Sequence, residues 1–218
     1  MAFDGVTEDV RLMKKEGEPP KKIHTNIYMM NRDGGNIKQL TFGMYRDLRP
    51  TFSPDGDTVV FVSNRSGEIR IWKLELENET NIPEIILPDL YAYRPIFSPD
   101  GQWLYFFVHK SRERHQICRL KIENENVQCL ENDSRGYTHG PFVAPDGQSV
   151  YVHSTRGGGN WKIWRIPLDG SEPLSMQPVF FSNTLHPSIS TNGIMAFDSI
   201  LKPEPLETLL RIKKTIIP

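Results

Sequence analysis

Thr51-Phe52-Ser53-Pro54-Asp55-Gly56-Asp57-Thr58-Val59-Val60-Phe61-Val62-Ser63-Asn64-Arg65 reads as a strand, a tight turn and a returning strand. Proline presets φ at the second turn position, while Asp and Gly accept turn conformations that most residues resist. The unit returns as Ile96-Phe97-Ser98-Pro99-Asp100-Gly101 and as Phe142-Val143-Ala144-Pro145-Asp146-Gly147. A degraded copy follows at Ser188-Ile189-Ser190-Thr191-Asn192-Gly193. The four turn glycines step by 45, 46 and 46 residues, and a fixed period of that size marks a repeat protein.

A third, alternating strand follows each hairpin, at Glu68–Leu74, Gln116–Leu120 and Lys162–Ile166, with Ile71, Ile117 and Ile163 spaced by 46. Glu84-Ile85-Ile86-Leu87 supplies a fourth. Four strands per repeat is the blade pattern of a β-propeller, so the chain is read as all-β. Pro50, Pro95, Pro141 and Pro187 share one phase, at the start of each first strand. Proline cannot donate to a sheet, which places these strands at an edge, as the innermost strand of a blade is. Ahead of them, Ile27–Met30 and Asn36–Thr41 flank an Arg32-Asp33-Gly34-Gly35 turn and form a first blade without its inner strand. Residues 1–22 are an irregular, charged segment in which Ala2-Phe3-Asp4, repeated as Ala196-Phe197-Asp198, reads as a strand. The blades occupy 23–199. Residues 200–218 are a strand or a short helix, because Leu206, Leu209 and Leu210 also fit helical spacing.

The 218 residues carry 26 basic and 27 acidic side chains, which gives no field to attract nucleic acid or an anionic membrane. Nothing approaches the roughly 18 apolar residues of a membrane span, so no membrane insertion is expected. Met1–Gly5 shows no basic region leading into an apolar core, so no signal peptide is read. Cys118 and Cys129 face each other on the arms of a hairpin around Asn124. Packed, reduced thiols are the expectation, with a cross-strand disulfide as the alternative; metal spacing is absent.

Residues 27–41 (Ile-Tyr-Met-Met-Asn-Arg-Asp-Gly-Gly-Asn-Ile-Lys-Gln-Leu-Thr), followed by Arg-Pro-Thr-Phe-Ser-Pro-Asp-Gly (49–56) and Phe-Val-Ser-Asn-Arg (61–65), resemble the repeats of the TolB-like, or WD-like, propellers. The resemblance covers about residues 23–199. It implies a six-bladed propeller, used in the family to bind a periplasmic lipoprotein and disordered peptides, and a periplasmic location; otherwise the chain is cytoplasmic. Related propellers precede the catalytic domain of prolyl-oligopeptidase-type peptidases or form polyuronate-lyase-like enzymes. Six blades of ~46 residues need ~276, so the expectation here is a five-sheet propeller or an incomplete six-bladed ring. Its terminal segments would complete each other's sheet, or it would be a piece of a larger propeller. An incomplete ring would associate with copies of itself through open edges.

In such a fold, one face is built from the loops that lead into the inner strands, and the Ser-Pro-Asp-Gly turns lie on the other. The first set contains Tyr45-Arg46-Asp47-Leu48-Arg49, Tyr91-Ala92-Tyr93-Arg94, Arg135-Gly136-Tyr137-Thr138-His139 and Asn183-Thr184-Leu185-His186. Arg49, Arg94, His139 and His186 hold equivalent places just before or near the prolines. The ligand-binding candidates are therefore Arg46, Arg49, Tyr93, Arg94, Tyr137, His139 and His186, suited to a carboxylate or a peptide terminus through charge-assisted bonds. Arg65, His109, Arg112, Arg114 and Arg156 add to this face from the loops joining second and third strands. The bland alternative is that these residues cap strand ends and pair with neighbouring Asp. A metal reading through His109, His139, His153 and His186 is weaker, for want of a local spacing motif. Tyr28, Trp72 and Trp164 read as packing between blades. No Gly-x-Ser-x-Gly elbow is present, and Gly157-Gly158-Gly159 lacks the Lys-Ser/Thr of a phosphate loop. The sequence thus predicts a non-catalytic platform for a protein or peptide partner, with no cofactor, metal or catalytic set. A metal-assisted carbohydrate-active enzyme and a fragment of a larger propeller are the alternatives.

Overall fold

The computed structural model describes residues 1–6, 24–77, 82–111, 114–130, 136–176 and 181–201. The charged stretch Lys14–Lys22, Arg112, Arg135 and the helix-or-strand question after 201 lie outside them. Among the described residues the regular structure is strand only, arranged as five antiparallel sheets. The first holds β1 (Ala2–Val6), β2 (Thr25–Met29) and β3 (Lys38–Gln39). The second runs β4 (Leu48–Phe52), β5 (Thr58–Ser63), β6 (Arg70–Glu75) and β7 (Glu84–Ile85). The third runs β8 (Ala92–Phe97), β9 (Trp103–Ser111), β10 (Arg114–Lys121) and β11 (Val127–Cys129). The fourth runs β12 (Thr138–Val143), β13 (Ser149–Ser154), β14 (Lys162–Pro167) and β15 (Leu174–Ser175). The fifth pairs β16 (Phe181–Ile189) with β17 (Met195–Leu201).

Within each four-stranded sheet the strands lie in chain order, so each is a meander closed by short turns. The prolines fall in β4, β8, β12 and β16, the strands at the edge of their sheets. The first sheet begins one strand later than its neighbours. Phe3 stands opposite Tyr28 as Phe61 stands opposite Trp72, so β1 occupies the place of a second strand. Among the described residues the terminal strands do not share a sheet: β1 pairs with β2, and β16 with β17.

The turns explain their own sequence. Ser53 Oγ accepts the Thr58 N–H at 3.0 Å and donates to Asp55 Oδ1 at 2.5 Å, while the Gly56 N–H closes onto the Ser53 carbonyl at 3.0 Å. Ser98 and Asp100 repeat the arrangement, and Ser190 with Asn192 does so in the last unit. Gly56 carries a φ of +89°, a left-handed conformation that a Cβ disfavours.

The core lies between sheets. Ile27 and Leu40 of the first sheet pack on Val59, Phe61 and Leu74 of the second. The other face of the second, through Val60, Val62 and Ile71, packs on Leu104, Phe106, Val108 and Leu120 of the third. The third then turns Tyr105, Phe107 and Ile117 towards Val143, Val150, Val152 and Ile166 of the fourth. Successive side chains of a strand point to opposite faces. The unbroken apolar run Trp103–Val108 is therefore what a sheet covered on both sides requires. Each fully buried Leu or Phe in these layers contributes about 1.5–3 kcal/mol.

Cys118 and Cys129 are joined by a disulfide, so the expectation of reduced thiols is corrected. They stand directly opposite on β10 and β11, with Cα atoms 3.9 Å apart. The hairpin register, and not the packing of Cys118, decides the matter.

Candidate functional site

Each innermost strand is interrupted at the same place. Register breaks fall between Leu48 and Thr51, Tyr93 and Ile96, His139 and Phe142, and Leu185 and Ser188. Inside these breaks lie Arg49-Pro50, Arg94-Pro95, Gly140-Pro141 and His186-Pro187. The residue before each proline is left-handed, with φ of 58°, 50°, 60° and 48°. A β-bulge adds an unpaired residue and re-aims its side chain. A Cβ and a following proline both disfavour this conformation, so three of the four positions carry local strain. Gly140 is the fourth, and His139 stands one residue ahead of the equivalent place.

Gly140 is also where neighbouring side chains approach the backbone. A Cβ there would lie 2.6 Å from His153 Cε1, 3.0 Å from His153 Nδ1 and 3.1 Å from Arg94 Nη1. Arg94, on β8, thus reaches across to the bulge of the next sheet. His153 is only 5% exposed, and its Nδ1 has no hydrogen-bond partner among the described residues.

From this point a row of rings crosses three sheets. His186 lies against His153 with centroids 5.0 Å apart, and His139 against Phe107 at 4.9 Å and His115 at 4.5 Å. His115 meets His109 at 4.0 Å, and His109 meets Tyr91 and Tyr93. Trp161 closes over His139 and His153, and Tyr137 over His115. His115 Nδ1 and His139 Nε2 are in direct hydrogen-bond contact, so one ring supplies the proton and the other the lone pair. At the far end His186 Nδ1 bonds Asp198 Oδ1 at 2.8 Å.

Burial holds the inner imidazoles neutral. Desolvation lowers His109 and, reinforced by the neighbouring imidazoles, pushes His115 and His139 down to about 4 and His153 to about 3. Among the described residues Arg46, Arg49 and Arg94 bring positive charge to this face. Burial and the Arg49 charge lower the Arg94 pKa, yet a guanidinium remains protonated. Among the described residues none of these three guanidinium groups has a carboxylate partner.

Other arginines of this face are structural. Arg65 bonds the fully buried Asp47 carboxylate at 2.5 Å and lies over Tyr45, Phe61 and Trp72. Arg156 repeats the position over Trp164, with Ser154 and Thr138 in place of Ser63 and Asp47. The capping alternative therefore describes Arg65 and Arg156, and Trp72 and Trp164 pack between sheets beneath them.

Of the seven candidates, Tyr93, Tyr137, His139 and His186 stand in the ring row. Arg94 lies beside it, Arg49 is close enough to act on Arg94, and Arg46 acts on Tyr93. The candidate set lacked His115, Trp161, Phe107 and His153. His115 and Trp161 are 46 residues apart, two before the repeating isoleucines, and this phase was the available signal. Among the described residues no group of three or more His, Cys, Asp or Glu is disposed to hold a metal ion, and no helix is long and apolar enough to cross a membrane.

A family model described as the TolB beta propeller domain matches residues 19–180. The crystal structure of TolB from Acinetobacter baumannii superimposes with a TM-score of 0.70 at 22% identity, covering 83% of this chain and 44% of that one. An oligogalacturonate lyase in complex with manganese gives 0.62 at 17% identity, covering 83% of this chain and 54% of the lyase. An uncharacterized protein of Agrobacterium fabrum (strain C58) is 36% identical over 55 residues, 25% of this chain and 19% of its own length. The chain thus spans a fifth of that relative and under half of the TolB chain.

Proposed function

The chain belongs to the TolB beta propeller family, and from that premise we propose that it is a non-catalytic platform that binds a protein or peptide segment at the inner-strand face. The observation that carries this reading is the row of imidazole and aromatic rings flanked by three guanidinium groups that have no carboxylate partner among the described residues. Flat rings offer large contact area at low entropic cost, and arginine offers directional charge; these residue types dominate binding hot spots. The disulfide supports an oxidising compartment such as the periplasm.

The test uses a displayed peptide library selected on the wild-type protein. A selected peptide should lose at least tenfold in affinity for the Arg49→Ala/Arg94→Ala double variant while the melting temperature stays unchanged. Equal binding to both proteins overturns the reading.

A second reading rests on the neutral imidazoles, since a ring must be unprotonated to ligate a metal. One similar propeller is described as an oligogalacturonate lyase in complex with manganese. On this reading His115 and His139 would turn their facing nitrogens onto a divalent ion, with no third His, Cys, Asp or Glu among the described residues placed to complete the set. Manganese titration of the metal-free protein decides it: a stoichiometric complex lost in His139→Ala favours the enzyme, and no binding at millimolar manganese removes it.

A further inference from the structure

The four bulges form an internal control. Gly140 shows that the fold accepts glycine before the proline, where glycine is free of left-handed strain. Arg49 and Arg94 occupy the same position at φ of 58° and 50°. Arginine gives that backbone nothing that glycine lacks, because neither guanidinium has a carboxylate or hydrogen-bond partner among the described residues. Strained, non-glycine conformations of this kind persist where the side chain has a use.

The surroundings say what the use is. Arg94 Nη1 and His153 Nδ1 both close onto Gly140, where a Cβ would lie 3.1 and 3.0 Å from them, and the Nδ1 is buried and without a hydrogen-bond partner among the described residues. Arg49 holds the equivalent bulge position on β4, which packs against β8. Among the described residues Asp198, which reaches this cluster through the His186 ring, is held by it. The Arg94 cation and a buried imidazole nitrogen, with the Arg49 cation on the adjacent inner strand and no acid between them among the described residues, make a receptor for a small planar anion. Guanidinium matches the geometry of a carboxylate, which it binds through paired, charge-assisted hydrogen bonds. His153 would add one N–H from its Nδ1 in that tautomer, without needing to be charged.

We propose that the bulge residues Arg49 and Arg94, with His153 over Gly140, form a receptor for a carboxylate group of the bound peptide, either its C-terminus or an acidic side chain. This rests on the peptide-platform reading and names the chemistry that the platform recognises.

Succinate is the first probe, followed by tryptophan fluorescence and thermal shift at constant ionic strength, because Trp161 touches both His139 and His153. Wild type should show saturable succinate binding and a raised melting temperature, with chloride inert. Arg49→Gly and Arg94→Gly should each weaken binding at least tenfold while melting at or above the wild-type temperature. A merely structural role for the arginines predicts lower melting instead, and that result overturns the proposal, as does succinate binding unchanged in both variants. Arg70→Gly, on β6, is the control for general loss of charge.

The peptide selected on wild type separates the two sources of carboxylate and the two levels of the account. It is compared with its C-terminal amide and with a form whose Asp and Glu are replaced by Asn and Gln. Tenfold loss on amidation assigns the C-terminus, and tenfold loss on side-chain replacement assigns an acidic residue. If neither change matters but the Arg49→Ala/Arg94→Ala variant still fails to bind, the platform stands and the carboxylate receptor is wrong. If wild type yields no binding peptide and no succinate response, both fail.

Discussion

At the scale of single residues, this face separates arginines that hold the fold from arginines available to a ligand. Arg65 is the first kind. Its partner Asp47 is fully buried and also accepts the Ser63 hydroxyl at 2.5 Å. Removing one member of a buried pair leaves an uncompensated charge and costs about 3–5 kcal/mol. Asp47→Ala should therefore lower the unfolding free energy by about 3 kcal/mol in urea titration, and a loss under 1 kcal/mol would contradict the assignment. The imidazoles give a pH signature. In the unfolded chain they titrate near 6.5, whereas in the fold His115 and His139 sit at about 4 and His153 at about 3. Between these values the unfolded state binds protons that the folded state refuses, so stability falls as pH drops. The melting temperature should be level above pH 7 and decline steadily from about 6.5 to 4. A level profile down to pH 5 would show that these rings are not held neutral.

At the scale of the element, the hairpin turn carries most of what could be read in advance. Ser-Pro-Asp-Gly is legible because each residue acts locally: the proline fixes φ, the serine hydroxyl satisfies a backbone N–H, and the glycine takes the left-handed turn. The third repeat departs from the rule at Ala144, where the Ser149 N–H lacks the hydroxyl that serves Thr58, Trp103 and Ile194. Ala144→Ser restores it in a position of similar burial to Ser53 and Ser98. A net intramolecular hydrogen bond is worth about 0.5–1.5 kcal/mol, so this substitution should stabilise the protein by about 0.5–1 kcal/mol in the same titration. Destabilisation would mean that the turns are not equivalent. The bulges are less legible. Phase-locked prolines marked the strand, and the phase with the missing Cβ points to Gly140 rather than His139, but the break in register that re-aims these residues has no local signature. The ring row is harder still, because His115 on β10 and His139 on β12 meet only through the packing of one sheet on the next. The facing of Cys118 and Cys129 was legible from the hairpin, but their redox state was not, because no local feature of the sequence gives the compartment.

At the scale of the molecule, a propeller has little choice about where its site lies. Apolar layers between consecutive sheets fix their spacing, and the inner strands bring their bulges together from different sheets. Residues 33 and 24 apart in sequence, His153 with His186 and His115 with His139, thereby become ring contacts of 5.0 and 4.5 Å. The disulfide ties β10 to β11 at the outer edge of the third sheet, closing a short loop with a sequence separation of 11. Chain-entropy arguments assign such a loop about 2–3 kcal/mol. Reduction should lower the melting temperature by that amount of stability without altering peptide binding, since neither cysteine belongs to the ring row. Loss of binding on reduction would show that the outer edge shapes the mouth.

Hydrogen–deuterium exchange of the wild-type protein, with and without a peptide selected on it, tests the platform most directly. Binding at the inner-strand face predicts slowed exchange in 45–49, 91–94, 136–140 and 183–186, with the Ser-Pro-Asp-Gly turns unchanged. Protection confined to those turns, at 53–58 and 98–103, would place the ligand on the opposite face and contradict the account.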